Sequence, residues 1–299
     1  MVFKRYIVIK KPSVLLLGSS GQLGKEISKN HLIRSNYSLL ALDRNECDIT
    51  NFEKIDEVID KIKPTFVINC AAYTNVDKAE KEKELANQIN NIAVENLSKA
   101  CKKHDSTLIH FSTDYVFNSI SKSPIKEKNK KDPINFYGYS KHLGEEKIFK
   151  ILKKFFIFRI SWVYGEYGEN FPKKIIELMK KNKELNIVND QFGSPTPTSL
   201  ISSAIGKIIC DNKLNKKFGV YNLSPDNYCS WFDIAEKIAK KQKKFTNGIN
   251  PISSKNFKSD ASRPSYSCLD NAHFKKTFKM QIEDWSFYMD DFLNGLTND

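Results

Sequence analysis

The stretch Val14-Leu15-Leu16-Leu17-Gly18-Ser19-Ser20-Gly21-Gln22-Leu23-Gly24 decides the fold. Its first four residues form a compact apolar run that predicts a buried strand, and a helical stretch follows from about Gln22 to Ile33. Glycines at such a turn let the backbone approach a pyrophosphate, while the helix N-terminus supplies N–H donors and a positive dipole end. The spacing is GxxGxxG rather than GxGxxG, and a glycine turn can also be purely structural. Because this turn lies at the first strand–helix junction, it favours dinucleotide binding.

The alternation of strand and helix continues through the first half of the chain. Further strands are predicted at Ser38–Asp43, Thr65–Cys70, Thr107–Phe111 and Phe155–Ile160, and helices at Phe52–Ile62, Glu84–Lys103 and from about Tyr139 to Leu152. The strands are continuously apolar rather than alternating, which indicates a parallel sheet covered on both faces. We therefore predict an α/β fold with a Rossmann-type doubly wound parallel sheet.

After about Gly165 this pattern loosens, and proline, glycine and polar turns become denser. Helices remain predicted at Phe171–Lys180, Leu200–Ile209 and Trp231–Lys241. We expect residues 1–165 to form the NAD(P)-binding domain, with late elements contributed from about 200–240. Residues 166–299 are expected to form mainly a smaller C-terminal substrate-binding lobe.

The formal net charge of +13 over 299 residues raises the question of a nucleic-acid partner. Only five of the 48 basic residues are arginines, and the lysines are mixed with acids along the whole chain. Nucleic-acid readers favour arginine and concentrate their charge on one face. The composition therefore disfavours nucleic acid, and the Lys-rich stretches at 122–131 and 237–244 are predicted to be loops or helix faces in solvent.

The cysteines and the apolar runs indicate the compartment. The six cysteines lie far apart without a Cys-x-x-Cys pair, which argues against zinc ribbons and disulfide frameworks and fits a reducing compartment. No run approaches the ~18 apolar residues of a membrane span. Met1–Lys11 is short and mixed, so it makes a poor signal peptide. We expect a soluble cytoplasmic protein.

Asp43 and Arg44 lie at the end of the second predicted strand, about 25 residues after Gly18. An acid at this position can bind the adenosine ribose 2′-OH of NAD, while the neighbouring arginine can accept the 2′-phosphate of NADP. The pair leaves the choice between NAD and NADP open, and it can also be an ordinary turn at a strand end.

Tyr137-Gly138-Tyr139-Ser140-Lys141 places a phenol and an amine on one face where a helix begins. A phenol with a pKa of ~10 exchanges protons slowly near neutrality. A Lys141 ammonium about 5 Å away would stabilise the phenolate by roughly 3 kcal/mol, or about two pK units. This spacing often occurs by chance, but its position between the fourth and fifth strands favours a catalytic pair.

Ser112 and Thr113 lie at the end of the fourth predicted strand. The carboxyl ends of parallel strands line the ligand crevice, so a hydroxyl there can bind a substrate oxygen and place it against Tyr137. The alternative is a strand end capped by serine and threonine.

Together these motifs resemble the extended short-chain dehydrogenase/reductase family, and within it the dTDP-4-dehydrorhamnose reductases. The resemblance runs in order from about Pro12 to the C-terminus, and it is carried by Ala71–Glu80, Ser112–Phe117, Tyr137-x-x-x-Lys141, Ser161–Gly165, Asn170-Phe171, Asp190–Thr196, Arg263-Pro264 and Ser267–Asp270. About ten extra residues precede the first strand, and Cys70 stands where small residues such as alanine are common.

This resemblance implies NAD(P)H-dependent reduction of the 4-keto group of a dTDP-6-deoxy-L-hexulose to dTDP-L-rhamnose. Tyr137 would donate the proton, Lys141 would lower its pKa and hold the nicotinamide ribose, and Thr113 would bind the keto oxygen. Asn90 matches the structural or proton-relay asparagine of the superfamily. The implied cofactor contacts are Gly18, Gly21, Gln22, Leu23, Gly24, Asp43, Arg44, Asp48, Ile49, Ala71, Ala72, Tyr137 and Lys141. The implied substrate contacts are Thr74, Val76, Thr113, Trp162, Asn170 and Arg263, of which Arg263 would pair with the diphosphate.

Several alternatives stay open. Trp162 can instead be core packing, and Arg263 can form a surface ion pair. Asp114 is not followed by glutamate, which argues for reduction over 4,6-dehydration. The chain could also be a related ketoreductase with another nucleotide or C4 stereochemistry, or a non-catalytic regulatory subunit of the same fold. The resemblance favours NADPH with NADH also accepted, and it allows a homodimer. Glu26 could join a magnesium site known in some relatives, but the ligand set is incomplete and we assign no metal ligand.

Overall fold

A computed structural model describes residues 11–118, 123–181, 184–241 and 248–296. Residues 1–10, 119–122, 182–183, 242–247 and 297–299 lie outside the described residues, and these include residue 122 of the first Lys-rich stretch and residues 242–244 of the second.

The described chain alternates strands and helices over most of its length. The strands are β1 (Ser13–Leu17), β2 (Ser38–Leu42), β3 (Phe66–Asn69), β4 (Thr107–Thr113), β5 (Phe155–Ile160), β6 (Leu185–Val188), β7 (Phe192–Gly193), β8 (Gly219–Asn222), β9 (Cys229–Ser230) and β10 (Ile249–Ile252). The helices are α1 (Gln22–Ser28), α2 (His31–Asn36), α3 (Phe52–Ile62), α4 (Val76–Ala79), α5 (Lys83–Asn87), α6 (Ala93–Lys103), α7 (Phe136–Ile151), α8 (Phe171–Lys180), α9 (Thr198–Cys210), α10 (Trp231–Lys241), α11 (Ala272–Phe278) and α12 (Trp285–Gly295). A π-helical turn (Gln88–Ile92) joins α5 to α6, and 3₁₀ turns cover Asp114–Val116 and Ser254–Asn256.

Six strands form one parallel sheet in the order β2-β1-β3-β4-β5-β8. The chain moves outward from β1 to β2 and then returns to place β3 on the other side of β1. This reversal opens a crevice outside the carboxyl ends of β1 and β3, where open α/β sheets bind their ligands. The predicted Rossmann-type doubly wound parallel sheet is confirmed.

Apolar side chains cover both faces of this sheet, as the continuously apolar strands predict. On one face Leu16 and Phe158 pack with residues of α1, α2, α9 and α11. On the other face Leu15 and Ile157 pack with residues of α3, α6 and α7. Burial on both sides is what favours Val, Ile, Leu and Phe at consecutive positions of each strand.

The later elements build a second hydrophobic core. Residues of α8, α10 and α12 pack there with β6, which pairs in parallel with β10, while β7 and β9 pair antiparallel. In contrast, β8 extends the main sheet and α9 packs on α1 and α2. On the basis of these separate cores, we propose a cofactor lobe that includes α9 and β8 and a smaller substrate lobe.

Several helix boundaries differ from the prediction, and side-chain caps explain two of them. The helical stretch predicted from about Gln22 to Ile33 is divided into α1 and α2, because the Asn30 side chain accepts a hydrogen bond from the Ile33 N–H at 3.0 Å and begins α2 as a separate helix. Helix α7 begins at Phe136 rather than at Tyr139, because the Asn135 side chain accepts a hydrogen bond from the Gly138 N–H at 2.8 Å. Tyr137 therefore lies in the first turn of α7. Among the described residues, no helix is long and apolar enough to cross a membrane.

Candidate active site

Thr113 and Tyr137 meet where β4 ends and α7 begins. The Thr113 hydroxyl lies close enough to the Tyr137 phenol to act on its pKa, and the ring of Tyr137 packs edge-on against that of Tyr115, with centroids 6.1 Å apart. Gly138 makes this approach possible, because a Cβ at this position would overlap the Tyr115 carbonyl oxygen. The first turn of α7 therefore lies directly on the 3₁₀ turn that follows β4, and it brings the two predicted hydroxyls together.

The surroundings of Tyr137 keep its phenol protonated. Burial raises the pKa of Tyr137 to about 12, although the hydrogen bond from Thr113 acts to lower it and the charge of Asp114 acts to raise it further. The sequence led us to expect a lowering of the Tyr137 pKa by about two units through Lys141. The direction is the opposite, because desolvation outweighs the favourable contacts of the phenolate.

Lys141 is buried and bonded to the backbone of the neighbouring strand. Its Nζ donates to the Phe111 carbonyl at 2.7 Å and lies 3.1 Å from Nε2 of His110. The Nδ1 of His110 lies 3.2 Å from Nδ2 of Asn69, whose Oδ1 accepts a hydrogen bond from the Ala71 N–H at 3.1 Å. This row of groups holds the Lys141 amine against β4 and connects it, through His110 and Asn69, to the carboxyl end of β3.

Burial lowers the pKa of Lys141 to about 8, and the charge of Glu145 only partly offsets this. Burial first, and Lys141 second, hold the pKa of His110 well below its usual range, so that His110 is neutral. The sequence assigned no role to His110 or Asn69, because only the pairing of β3 with β4 places them beside Lys141.

A buried ion pair anchors α7 one turn beyond Lys141. The Arg159 side chain on β5 binds Glu145 through both carboxylate oxygens, at 2.8 and 2.6 Å, and neither side chain is exposed. Burial raises the pKa of the Glu145 carboxyl, but the Arg159 guanidinium outweighs it and leaves the pKa lowered. This bidentate pair fixes the position of α7 on the sheet, and no motif in the sequence signalled it.

A cavity of about 200 Å³ opens at the carboxyl ends of β1, β2 and β3. It is lined by seven residues of the predicted cofactor set (Gly18, Gly21, Arg44, Asp48, Ile49, Ala71 and Ala72) and by four residues that were not predicted cofactor contacts (Ser20, Cys47, Cys70 and Ile89). Gly18 has φ +76°, and a Cβ there would lie 2.7 Å from the Ala71 nitrogen. A glycine-walled cavity at a helix N-terminus with one arginine fits the phosphates of a dinucleotide.

Other residues of the predicted cofactor set make contacts within the protein around the glycine turn and after β2. The Gln22 side chain donates to the Val163 carbonyl at 3.3 Å, Leu23 packs against the sheet core, and Gly24 packs against Gly18. The Asp43 carboxylate accepts hydrogen bonds from two backbone N–H groups of the turn that follows it. Arg44, which is largely exposed, binds Asp48 at 3.1 Å.

Asn90 lies in the π-helical turn and locks the loop after β3. Its Oδ1 accepts a hydrogen bond from the Tyr73 N–H at 2.9 Å, and its Nδ2 lies 3.0 Å from both the Tyr73 carbonyl and the Ser140 hydroxyl. Asn90 thereby connects this loop to α7, one residue before Lys141.

The predicted substrate contacts differ in their surroundings. The Arg263 guanidinium binds both carboxylate oxygens of Asp77, at 2.6 and 3.2 Å, and also contacts Ser259. This guanidinium holds the pKa of the Asp77 carboxyl far below its usual range. Thr74 is exposed, and Val76 begins α4.

Asn170 and Trp162 are held by contacts within the protein. The Asn170 side chain caps α8 and donates to Gln22 and to the Gly165 carbonyl, both at 2.8 Å. Trp162 has a left-handed backbone, with φ +47°, and its ring stacks on Trp231 with centroids 3.6 Å apart.

A cavity of about 460 Å³ lies in the smaller lobe. Of the predicted substrate contacts it is lined by Arg263, and its walls include Phe171, Trp231, Gln191, Asn186 and Lys255. Aromatic faces beside amide groups and cations suit a nucleotide. Within the described ranges, no group of three or more His, Cys, Asp or Glu side chains is arranged to hold a metal ion.

Comparisons with known proteins agree along most of the chain. The family described as "RmlD substrate binding domain" matches residues 12–298. The dTDP-4-dehydrorhamnose reductase of Aggregatibacter actinomycetemcomitans is 37% identical over 281 residues, which are 91% of this chain and 95% of that protein. The enzyme of the same name from Escherichia coli K12 is 34% identical, covering 95% of this chain and 98% of its own.

A solved structure gives the same result. The crystal structure of dTDP-4-dehydrorhamnose reductase from Bacillus anthracis, in complex with NADP, is 36% identical with a TM-score of 0.90. It covers 95% of this chain and 99% of its own. The chain therefore belongs to the dTDP-4-dehydrorhamnose reductase family.

Proposed function

We propose that this enzyme reduces the 4-keto group of dTDP-4-dehydro-6-deoxy-L-mannose to give dTDP-L-rhamnose, with NADPH as the preferred reductant and NADH also accepted. One observation carries the proposal for this chain: the hydroxyls of Thr113 and Tyr137 lie together at the carboxyl end of β4, and Lys141, one turn further along α7, is buried with its amine on the Phe111 carbonyl of the same strand. A non-catalytic subunit of the same fold would have no use for this set of groups.

The cavity at the glycine turn is the proposed site of the dinucleotide. Gly18 and Gly21 would let the backbone approach the pyrophosphate, and the exposed Arg44 would meet a 2′-phosphate. The Bacillus anthracis relative crystallised with NADP supports this choice. When bound, the reduced nicotinamide supplies the hydride that adds to C4 of the sugar.

Tyr137 is the proposed proton donor to the oxygen of the ketone. With a pKa of about 12 it is protonated at neutral pH, which is the state that reduction requires. Thr113 would hold the same oxygen and orient it towards the phenol. Lys141 would bind the nicotinamide ribose, and Asn90 would hold the loop and helix between which these groups act.

The nucleotide part of the substrate is proposed to occupy the larger cavity of the smaller lobe. Arg263 would turn one edge of its guanidinium to the diphosphate while Asp77 holds the other. Trp162, Asn170, Thr74 and Val76 remain the proposed contacts of the sugar. Binding energy from the nucleotide would place the ketone beside the nicotinamide and convert a bimolecular encounter into an oriented one.

The assay is reduction of dTDP-4-dehydro-6-deoxy-L-hexulose, followed by NADPH or NADH absorbance and by identification of the product sugar. Tyr137→Phe should lower kcat by about 10²–10⁴-fold, with little change in NADPH affinity, because only the proton donor is lost. Tyr139→Phe is the matched control, since Tyr139 lies two residues away and is 46% exposed.

Full activity of Tyr137→Phe would overturn the catalytic assignment. A product with the other configuration at C4 would instead assign the chain to a related nucleotide-sugar reductase. A strong preference for NADH in kcat/KM would show that Asp43 outweighs Arg44.

We infer further that the enzyme works in the cytoplasm and can pair with a second copy. All six cysteines are free thiols, which supports a reducing compartment. The mass measured by light scattering of the purified enzyme tests the homodimer, and a mass of one chain at micromolar concentration would refute it.

A further inference from the structure

Asp114 follows Thr113 and is 2% exposed. Its Oδ1 lies 3.0 Å from the Thr113 hydroxyl. Its Oδ2 is also buried, and among the described residues no hydrogen-bond partner meets it. Burying a charged carboxylate oxygen without a hydrogen-bond partner costs much free energy, whereas burying the carbonyl oxygen of a neutral carboxylic acid there costs far less.

The hydrogen bonds of Thr113 give a second, independent constraint. Its hydroxyl accepts from the Tyr115 N–H at 3.1 Å and also contacts Asp114 and the Tyr137 hydroxyl. A hydroxyl has one hydrogen to donate and two lone pairs. An ionised Asp114 only accepts, so it would take the single hydrogen of Thr113. A protonated Asp114 can donate instead, which leaves that hydrogen free.

We propose that Asp114 is a positioning residue that works in its protonated form: its carboxylic acid donates to the Thr113 hydroxyl and so directs the Thr113 hydrogen to the substrate keto oxygen beside Tyr137. This role rests on the proposed function, because it assigns a task to Asp114 in that same reduction. Asp114 itself touches neither substrate nor cofactor in this role.

The groups around Asp114 favour the neutral acid. Burial raises the pKa of Asp114 to about 7, and the hydrogen bond with Thr113 only partly offsets this. The titratable groups that face it are Tyr137 from α7, Tyr115 from its own turn and Cys268 from the segment before α11.

These three facing groups are neutral, since burial raises the pKa of Tyr137 and of Cys268 to about 12 and raises that of Tyr115 as well. The nearby cation Arg263, which contacts Tyr115, is already paired with Asp77. An ionised Asp114 would therefore lack a compensating charge among these neighbours.

The proposal gives kcat/KM a dependence on the state of Asp114. Ionisation above about pH 7 would draw the Thr113 hydrogen to the carboxylate and place a negative charge beside the phenol. For wild type, kcat/KM should therefore fall by at least about tenfold between about pH 6 and about pH 9. In Asp114→Asn the amide N–H donates to Thr113 at every pH. The fall of kcat/KM between about pH 6 and about pH 9 should therefore disappear in this variant, and this fall is called the pH step below.

Asp114→Leu is the matched variant, since it has a similar volume and no donor. Its kcat/KM should lie at least about tenfold below that of Asp114→Asn at pH 6, with NADPH affinity and melting temperature close to those of Asp114→Asn. An unchanged pH step in Asp114→Asn would assign the titration to another group, such as Lys141, and would overturn the proposal. Equal kcat/KM values for the Asn and Leu variants would also overturn it.

A second measurement does not depend on turnover or on the folding of a variant. In the infrared spectrum of the wild-type protein labelled with ¹³C-aspartate, a shifted carboxylic-acid band should be present at pH 6 and lost by about pH 8. Absence of that band at pH 6 would overturn the proposal. If the band is present but wild type does not reduce the 4-keto sugar, the proposed function fails while the protonation of Asp114 stands.

Discussion

Lys141 is an unfavourable residue for the stability of the folded protein. Its pKa falls from the ordinary 10.5 to about 8 on burial, so folding disfavours its charged form. At neutral pH this costs roughly 3 kcal/mol, since each pK unit corresponds to ~1.4 kcal/mol. The same burial holds the amine against the Phe111 carbonyl beside the proposed nicotinamide site. A residue kept at such a cost fits a catalytic role better than a structural one.

The free energy lost by burying the charged Lys141 amine predicts how the stability of the protein changes with pH. Between the folded pKa of about 8 and the unfolded pKa of 10.5 the unfolded chain binds more protons, so this lysine's unfavourable contribution fades as the pH rises. Lys141→Met removes the titrating group. The free energy of unfolding of wild type relative to Lys141→Met should therefore rise by about 2 kcal/mol from about pH 7 to about pH 10, measured by urea unfolding.

Lys150→Met is the control for this measurement, because Lys150 is exposed on the same helix. The stability difference between that variant and wild type should stay constant over the same range. A constant difference for Lys141→Met as well would show that Lys141 keeps an ordinary pKa in the folded protein.

At the scale of elements, the junction between β4 and α7 decides whether the site forms. The spacing of Tyr137 and Lys141 predicts that they share one helix face, and this holds because both lie in α7. The predicted start of α7 is three residues late because the prediction misses the cap by Asn135, which is a local signal. The close approach of Gly138 to Tyr115 could not be predicted, because it joins segments about twenty residues apart and local propensity does not report it.

This junction predicts a strong effect for Gly138→Ala. The added Cβ would overlap the Tyr115 carbonyl oxygen, so α7 must move away from the turn that carries Thr113. We expect a loss of about 1–3 kcal/mol in the free energy of unfolding and a fall of kcat by at least about tenfold. Chemical denaturation and steady-state kinetics measure these two effects.

Gly295→Ala in α12 is the matched control, since a Cβ there meets no atom within 4 Å. It should leave kcat unchanged and alter stability by less than about 1 kcal/mol. Wild-type kinetics for Gly138→Ala would show that α7 accommodates the methyl group without moving Tyr137.

At the scale of the whole molecule, the net charge of +13 has a consequence for binding rather than for fold. The proposed cofactor and the proposed nucleotide-sugar are both anions. Many of the described lysines are exposed or paired with acids on the surface, as with Lys103 and Asp56. Their summed field attracts anions at long range, although few of them reach the site.

This field should make substrate capture sensitive to salt. We expect kcat/KM for NADPH to fall by about threefold or more between about 0.02 M and about 0.5 M NaCl, because the Debye length shortens. At saturating NADPH, kcat should change much less, and sucrose of equal osmolality serves as the control. A kcat/KM independent of salt would show that the lysine-rich surface plays no part in capture.

The sequence by itself determined the order of strands and helices in the first half, the glycine turn and the candidate hydroxyl and amine groups. These depend on local patterns: apolar runs, turn glycines and residue spacing along one helix. Only the tertiary structure decided that Asn69 and His110 hold Lys141, that Arg159 neutralises Glu145, and that Asp77 binds Arg263. It also decided the direction of the Tyr137 pKa and the buried state of Asp114. Desolvation and hydrogen-bond partners belong to segments far apart in the chain, and they exist only once the sheet and its helices have packed together.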